Sequence, residues 1–284
     1  MNKLKDYAEL TRFNRPIGSL LLMWPTLWAL WLAADGQPDW SLLVIFVLGV
    51  FSMRSAGCVI NDYADRKVDG HVDRTKNRPL PSGRVSEKEA LALFAGLSML
   101  SFFLVLLTDL QTILLSFVGL GLAALYPFMK RYTHLPQLFL GLAFSWAIPM
   151  AYSAQGGSLS DPILWMLFLA NCFWTIAYDT YYAMTDRPDD LKVGIKSTAI
   201  LFGQSDLMVI VCLQALTLSL LTWIGFFATL GWPYFLALSI CIWLFYKQYQ
   251  QAKDRDRQAC FRSFLENNRI GCCVFIGLVI SYFA

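Results

Sequence analysis

The sequence predicts an all-α, polytopic membrane protein, with nine transmembrane helices around a central cavity and a polar cap on the cytoplasmic side. Three observations carry that prediction. Of the 284 residues, 57% are hydrophobic and 15% charged, and the mean hydropathy of +0.50 is too high for a soluble domain. Apolar runs recur along the whole chain, each near the ~20 residues that cross a hydrocarbon core. The lysines and arginines, Arg54 apart, gather in the N-terminal arm and in alternate connections, which assigns a direction to every span.

Residues 2–15 carry Lys3, Lys5, Arg12 and Arg15, with Leu4, Tyr7, Ala8 and Leu10 on a partly apolar face, and predict an interfacial helix. Pro16 and Gly18 open the first run, 17–34, which ends in Asp35-Gly36-Gln37-Pro38-Asp39. The other runs fall at 41–62, 88–107, 111–128, 135–154, 162–184, 207–229, 233–249 and 267–283. Ser86 and Glu89 read as a capping box for the third, after a turn set by Pro79, Pro81 and Gly83. Trp24, Trp28, Trp31, Trp40, Trp165, Trp232 and Trp243 lie toward run ends, as an interfacial belt places them.

Connections near 35–40, 108–110, 155–161 and 229–233 hold no Lys or Arg, whereas those near 63–88, 130–131, 187–196 and 247–269 are basic. The N-terminus is therefore expected in the cytoplasm of a bacterial cell, the chain multi-pass in its inner membrane, and Ala284 outside. One integral-membrane domain spanning 1–284 is expected, with 1–15 as its arm. The second and sixth runs each end in acids before a basic loop, and the fourth and eighth each end in basic residues. That offset of four implies a parallel internal repeat. The long first run after a charged, amphipathic start does not read as a cleavable signal. Seven cysteines, mostly inside apolar runs, with no CxxC spacing and only His71 and His134, argue against zinc or a disulfide framework. No nucleic-acid partner is expected.

The chemistry gathers at two run ends. Continued helix would stack Asn61, Asp65 and Asp69 along one face over roughly 12 Å, with Asp62 beside them and Cys58 and Arg54 behind. Asp179, Asp186 and Asp190 repeat the arrangement at spacings of seven and four. One such cluster alone admits a second reading as a solvated helix end; its recurrence in a second run favours a site. Clustered carboxylates repel unless a cation sits among them, and a hard divalent ion such as Mg²⁺ takes their oxygens and those of substrate phosphates. Arg78, Lys130, Arg131, Arg187, Lys192 and Lys196 fill the adjoining basic loops. Each alone is what the cytoplasmic face of any membrane protein shows; beside two acidic clusters they equip the chain for a diphosphate.

At these residues the chain resembles the UbiA family of intramembrane prenyltransferases. Asn61-Asp62-x-x-Asp65-x-x-x-Asp69 is similar to its first aspartate-rich motif and Asp186-x-x-x-Asp190 to its second. The strings Arg15-Pro16-Ile17-Gly18, Arg54-Ser55-Ala56-Gly57-Cys58, Asn77-Arg78-Pro79-Leu80-Pro81-Ser82-Gly83, Tyr126-Pro127-Phe128-Met129-Lys130-Arg131 and Gly194-Ile195-Lys196-Ser197-Thr198 favour the branch that prenylates 4-hydroxybenzoate in bacterial ubiquinone biosynthesis. The resemblance covers nearly the whole chain. It implies a nine-helix fold, Mg²⁺ dependence, a polyprenyl diphosphate donor, an aromatic acceptor and a membrane-lipid setting.

Within that expectation, Asn61, Asp65, Asp69, Asp186 and Asp190 hold the metal, and Arg78, Lys130, Arg131, Lys192 and Lys196 meet the diphosphate. Aromatic faces such as Tyr63, Tyr126, Phe144, Tyr178 or Tyr182 stabilise an allylic cation. The ring carbon ortho to the hydroxyl attacks, and its proton leaves to Asp179 or to the diphosphate. Arg54 is the candidate for the acceptor carboxylate, with Arg15 the second; an ion pair between Arg54 and Asp179 is the structural alternative. A cation- or proton-coupled transporter is the competing class, although transporters keep polar sites near the midplane. A non-catalytic lipid-binding scaffold would not need two acidic motifs.

Overall fold

The computed structural model describes residues 3–69 and 75–284, with the side chains of 67–69 outside the description. The described residues form twelve α-helices, one short 3-10 turn at Gly203–Ser205 and no strand. In order these are α1 (Lys3–Leu10), α2 (Ile17–Ala33), α3 (Trp40–Asp69), α4 (Glu87–Val105), α5 (Leu110–Tyr132), α6 (Pro136–Ser145), α7 (Ala147–Ala154), α8 (Pro162–Val193), α9 (Thr198–Phe202), α10 (Asp206–Phe227), α11 (Trp232–Ala252) and α12 (Arg257–Ser281). Six segments are long and apolar enough to cross a bilayer: Trp40–Asp65, Glu87–Val105, Leu110–Tyr132, Pro162–Val193, Thr198–Phe227 and Arg257–Ser281. α2 is apolar but shorter, and α11 ends in the polar stretch Lys247-Gln248-Tyr249-Gln250-Gln251.

Local chemistry sets the boundaries. Ser86 Oγ accepts from Glu89 N–H while the Glu89 carboxylate accepts from Ser86 N–H, the reciprocal box read from the sequence. Asp161 caps α8, Pro162 occupies its first turn, and Gly194 ends it at φ 72°. The run expected at 135–154 is broken at Trp146 into α6 and α7. Pro149 explains the break, because it lacks the N–H that would bond the Ser145 carbonyl four residues back. α12 starts ten residues before the expected run, since Asp256 accepts from Ala259 N–H and begins the helix while the chain is still polar.

α8 lies at the centre and packs against α6, α10 and α12. Trp174 on α8 stacks on Trp28 of α2 at 5.4 Å between centroids, and its indole N–H donates to Asn267 Oδ1 of α12 at 2.9 Å. Lipid offers apolar side chains no hydrophobic gain, so close helix approach must supply the packing. Gly271 and Gly277 permit it: a Cβ on the first would collide with Trp24 and Trp174, and on the second with Ala237 of α11.

At the end of the bundle bearing the acidic motifs, α1 lies over α3 and α4. Leu10 is fully buried with Val59, Leu80, Val85 and Ala90. The Glu89 carboxylate accepts from Lys3 Nζ at 2.8 Å and from the Tyr7 hydroxyl at 2.9 Å. Arg84 reaches Asp6 and Glu9 at 2.5 and 2.8 Å, and Glu9 foremost holds the guanidinium above its ordinary pKa. The arm expected at 2–15 is thus a docked part of the fold.

Candidate active site

α3 continues unbroken through Asp69 and α8 through Val193, so the two predicted acidic stripes exist as helical faces. They meet. Asn61 and Asp65 from α3 line one pocket of about 160 Å³ with Asp179, Asp186 and Asp190 from α8. Three cations of the expected set share its wall: Arg78 from the 75–86 segment, Lys130 from the end of α5, and Lys196 after α8. A backbone bond from Lys196 N–H to the Lys130 carbonyl at 3.0 Å holds these last two segments together. Asp65 is buried and ion-paired with Lys130, while Arg131 stands 3.8 Å from its other oxygen.

The donor set suits a hard cation. Asn61, Asp65, Asp186 and Asp190 offer oxygen alone, and neither Cys nor His lines the pocket. Among the described residues no group of three His, Cys, Asp or Glu is already gathered as a cage; Lys130 instead supplies Asp65 with countercharge. The Asp69 side chain, expected to complete the first motif, lies outside the described residues.

A second, larger cavity of about 1010 Å³ adjoins the pocket, and Asn61, Arg78, Tyr126, Asp179 and Tyr182 line both. Its far walls are largely apolar, with Phe46, Val50, Phe102, Leu120 and Trp146 among them. Arg54 projects into it. The Nη1 donates to Cys58 Sγ at 2.9 Å and the guanidinium carbon lies 5.7 Å from the Phe144 ring centroid, while Nε is buried without a hydrogen-bond partner. The alternative pairing with Asp179 is not formed, and Arg54 makes no ion pair with any described carboxylate. Gly18 of α2 explains how the cation fits, because a Cβ there would stand 2.5 Å from Arg54 Nε.

Arg15 is exposed and lines the same cavity. Four expected residues, Tyr63, Tyr178, Lys192 and Arg131, line neither chamber. Tyr63 packs against the Leu10 cluster with the Arg66 guanidinium 4.1 Å from its ring centroid. Tyr178 turns into the core, edge-on to Trp174 at 5.4 Å, and Tyr182 faces the junction in its stead. Lys192 is 76% exposed and paired with Asp189 at 3.7 Å. Arg131 donates to the Ala64 carbonyl and ties α5 to α3. Sequence reasoning missed Gln137, whose Oε1 accepts from Thr198 N–H at 3.0 Å in the pocket wall, and Arg12, which reaches Asp62; no local pattern marks either.

Residues 22–277 match the UbiA prenyltransferase family. The chain is 85% identical, over 100% of both lengths, to a protein of Marinomonas sp. (strain MWYL1) named 4-hydroxybenzoate octaprenyltransferase. Its fold is similar to that of a UbiA homolog from Aeropyrum pernix K1, with a TM-score of 0.81 at 24% identity over 92% of this chain and 97% of that one. It is similar also to a UbiA homolog from Archaeoglobus fulgidus bound to GPP and Mg²⁺, with a TM-score of 0.74 at 18% identity over 97% and 99%. With two acidic helix ends meeting at one pocket and a match over most of its length, the chain belongs to the UbiA prenyltransferase family.

Proposed function

We propose that the protein transfers a polyprenyl group, octaprenyl by the name of its relative, from its diphosphate to 4-hydroxybenzoate in ubiquinone biosynthesis. One observation carries the reading. A half-buried arginine that pairs with no described carboxylate, Arg54, faces an apolar cavity whose wall is shared with a pocket of carboxylates and amines. An anionic aromatic acceptor, an apolar tail and a diphosphate are what those three surroundings fit.

Asn61, Asp65, Asp69, Asp186 and Asp190 would hold Mg²⁺, which when bound neutralises the diphosphate and makes it a better leaving group. Arg78, Lys130 and Lys196 bind its remaining oxygens by charge-assisted hydrogen bonds. The carbon–oxygen bond breaks with its electron pair going to the diphosphate. Tyr126 and Tyr182 present ring faces to the allylic cation, and the apolar cavity keeps water from it. Arg54 holds the acceptor carboxylate with Arg15 nearer the mouth. The ring carbon ortho to the hydroxyl forms the new bond, and Asp179, on the wall common to both chambers, takes the displaced proton.

The reading includes nine spans, α6 and α7 together making the fifth. The N-terminus, α1 and the 75–86 segment form a cytoplasmic polar cap on the inner membrane, and the supporting observation is the lack of Lys and Arg in alternate connections. Purified protein should be given octaprenyl diphosphate, Mg²⁺ and a panel of phenols. Prenylation of 4-hydroxybenzoate in strong preference to an uncharged phenol is expected; equal use of both contradicts the role of Arg54, and no prenylation of any contradicts the function.

A further inference from the structure

Six arginines line the larger cavity, and three of them hold carboxylates. Arg12 and Arg78 reach the buried Asp62 at 2.8 and 3.0 Å, and Arg257 is paired with Asp189. Arg15, Arg54 and Arg262 line the same space and pair with no described carboxylate. Arg262 is exposed on the second turn of α12. Other cations at this end of the bundle are placed by acidic partners: Arg269 and Lys247 pair with Glu266, and Arg187 and Arg255 with Asp206.

The level of Arg262 follows from how α12 lies against α2. Trp24 donates to Asn268 Oδ1 at 2.8 Å, Trp28 donates to the Gly271 carbonyl at 3.2 Å, and Trp31 meets the Phe275 ring edge-on at 4.9 Å. Positions rise together on both helices, so the two run parallel at an offset of 243 to 244 residues. Both are continuous back to their first turns. Six residues before Trp24 and Asn268, about 9 Å along each axis, the same offset sets Arg262 level with Gly18, against which the Arg54 guanidinium lies. Phe261 and Phe264, beside Arg262, turn their rings to Tyr182 at 6.1 and 5.0 Å and line the cavity with it. Arg54 and Arg262 thus stand at one height on two walls of one cavity, the first half-buried and the second at the rim.

We infer that Arg262 is a specificity-determining residue for the acceptor: it draws the carboxylate from water to the cavity rim and adds its charge to that of Arg54. The inference rests on the prenyl-transfer reading for the identity of the anion. The donor is a lipid whose charge goes to the acidic pocket, whereas the acceptor is small, ionised and water-borne. A carboxylate that leaves water for a single guanidinium in an apolar cavity loses hydration. A second cation at the same level offsets part of that cost and raises the local concentration of anions in a low-dielectric cleft. Such attraction reaches about 30 Å at 0.01 M salt and about 3 Å at 1 M, so its effect fades as salt is added.

Arg262→Gln and Arg262→Glu are compared with wild type as full-length protein in nanodiscs of zwitterionic lipid, with 4-hydroxybenzoate and its methyl ester as acceptors. The ester keeps the ring and the hydroxyl and lacks only the charge. At low salt, kcat/KM for the acid should fall roughly three- to tenfold in Arg262→Gln and further in Arg262→Glu, and the gap should close toward about 1 M salt. Turnover at saturation, KM for octaprenyl diphosphate and kcat/KM for the ester should stay within about twofold, as for loss of a rim charge. Arg262→Lys, which keeps the charge, should recover most of the loss. An equal loss for acid and ester, no loss in Arg262→Glu, or a loss confined to the donor overturns the inference. Calorimetric binding of the acid and the ester makes the same comparison without turnover. A wild type that prenylates neither acceptor therefore counts against the proposed function, while weaker binding of the acid alone to Arg262→Glu still supports the role of Arg262 and equal or absent binding overturns it.

Discussion

Gly18→Ala isolates the role of Arg54 without touching Arg54 itself. The new methyl carbon would stand 2.5 Å from Nε, 2.6 Å from Nη2 and 2.9 Å from the central carbon of the guanidinium. All three atoms are the far end of a flexible side chain, so the guanidinium moves and the backbone need not. In the first turn of α2 alanine is also the better helix former, by up to about 1 kcal/mol, and the fold should hold. If Arg54 binds the acceptor carboxylate, displacement forfeits a charge-assisted bond of about 1.5–3 kcal/mol, or roughly ten- to a hundredfold in affinity. The assay is steady-state prenylation in detergent or nanodiscs, varying each substrate in turn. KM for 4-hydroxybenzoate should rise by that factor while KM for the prenyl diphosphate stays within twofold or so, and an uncharged phenol should be little affected. Equal rises for both substrates, or none, would refute the reasoning and move attention to Arg15.

Asp65→Asn and Asp190→Asn should each abolish turnover while the protein still folds and purifies, because each removes an oxygen charge from the shared pocket; near-normal rates in either would remove that residue from the metal site. Reporter fusions after Arg131 and after Lys196 should both appear cytoplasmic, and an external signal from either would overturn the nine-span topology. Gly277→Leu places a side chain where even a methyl group collides with Ala237. It should lower the thermal midpoint through a strain of about 1–3 kcal/mol, and an unchanged midpoint would mean that α11 and α12 can separate freely.

The helical period carried much of the site before any coordinates. Asn61 and Asp65, and Asp179, Asp186 and Asp190, share faces because spacings of four and seven nearly close whole turns. The same period does not separate Tyr178 from Tyr182: four residues apart, they share a side of α8, and only the packing of Tyr178 edge-on to Trp174 shows which of the two enters the core. Lys192 falls on the far side of α8 by the same count, where it pairs with Asp189. The break at Trp146 was legible in Pro149. Other features were not: Arg12 and Asp62 are fifty residues apart, and nothing in either segment announces that α1 folds back over the end of α3. Nor does the sequence say that Arg54 pairs with no described carboxylate, since that depends on where Asp179 comes to rest.

The most direct measurement of the central claim is the stoichiometry of one reaction. Purified protein is incubated with octaprenyl diphosphate and 4-hydroxybenzoate, the product identified by mass spectrometry and NMR, and released diphosphate counted in the same sample. The account predicts 3-octaprenyl-4-hydroxybenzoate and diphosphate in equal amounts, lost on chelation of divalent metal and restored by Mg²⁺. Diphosphate release without ring prenylation, or prenylation that persists under chelation, would contradict it.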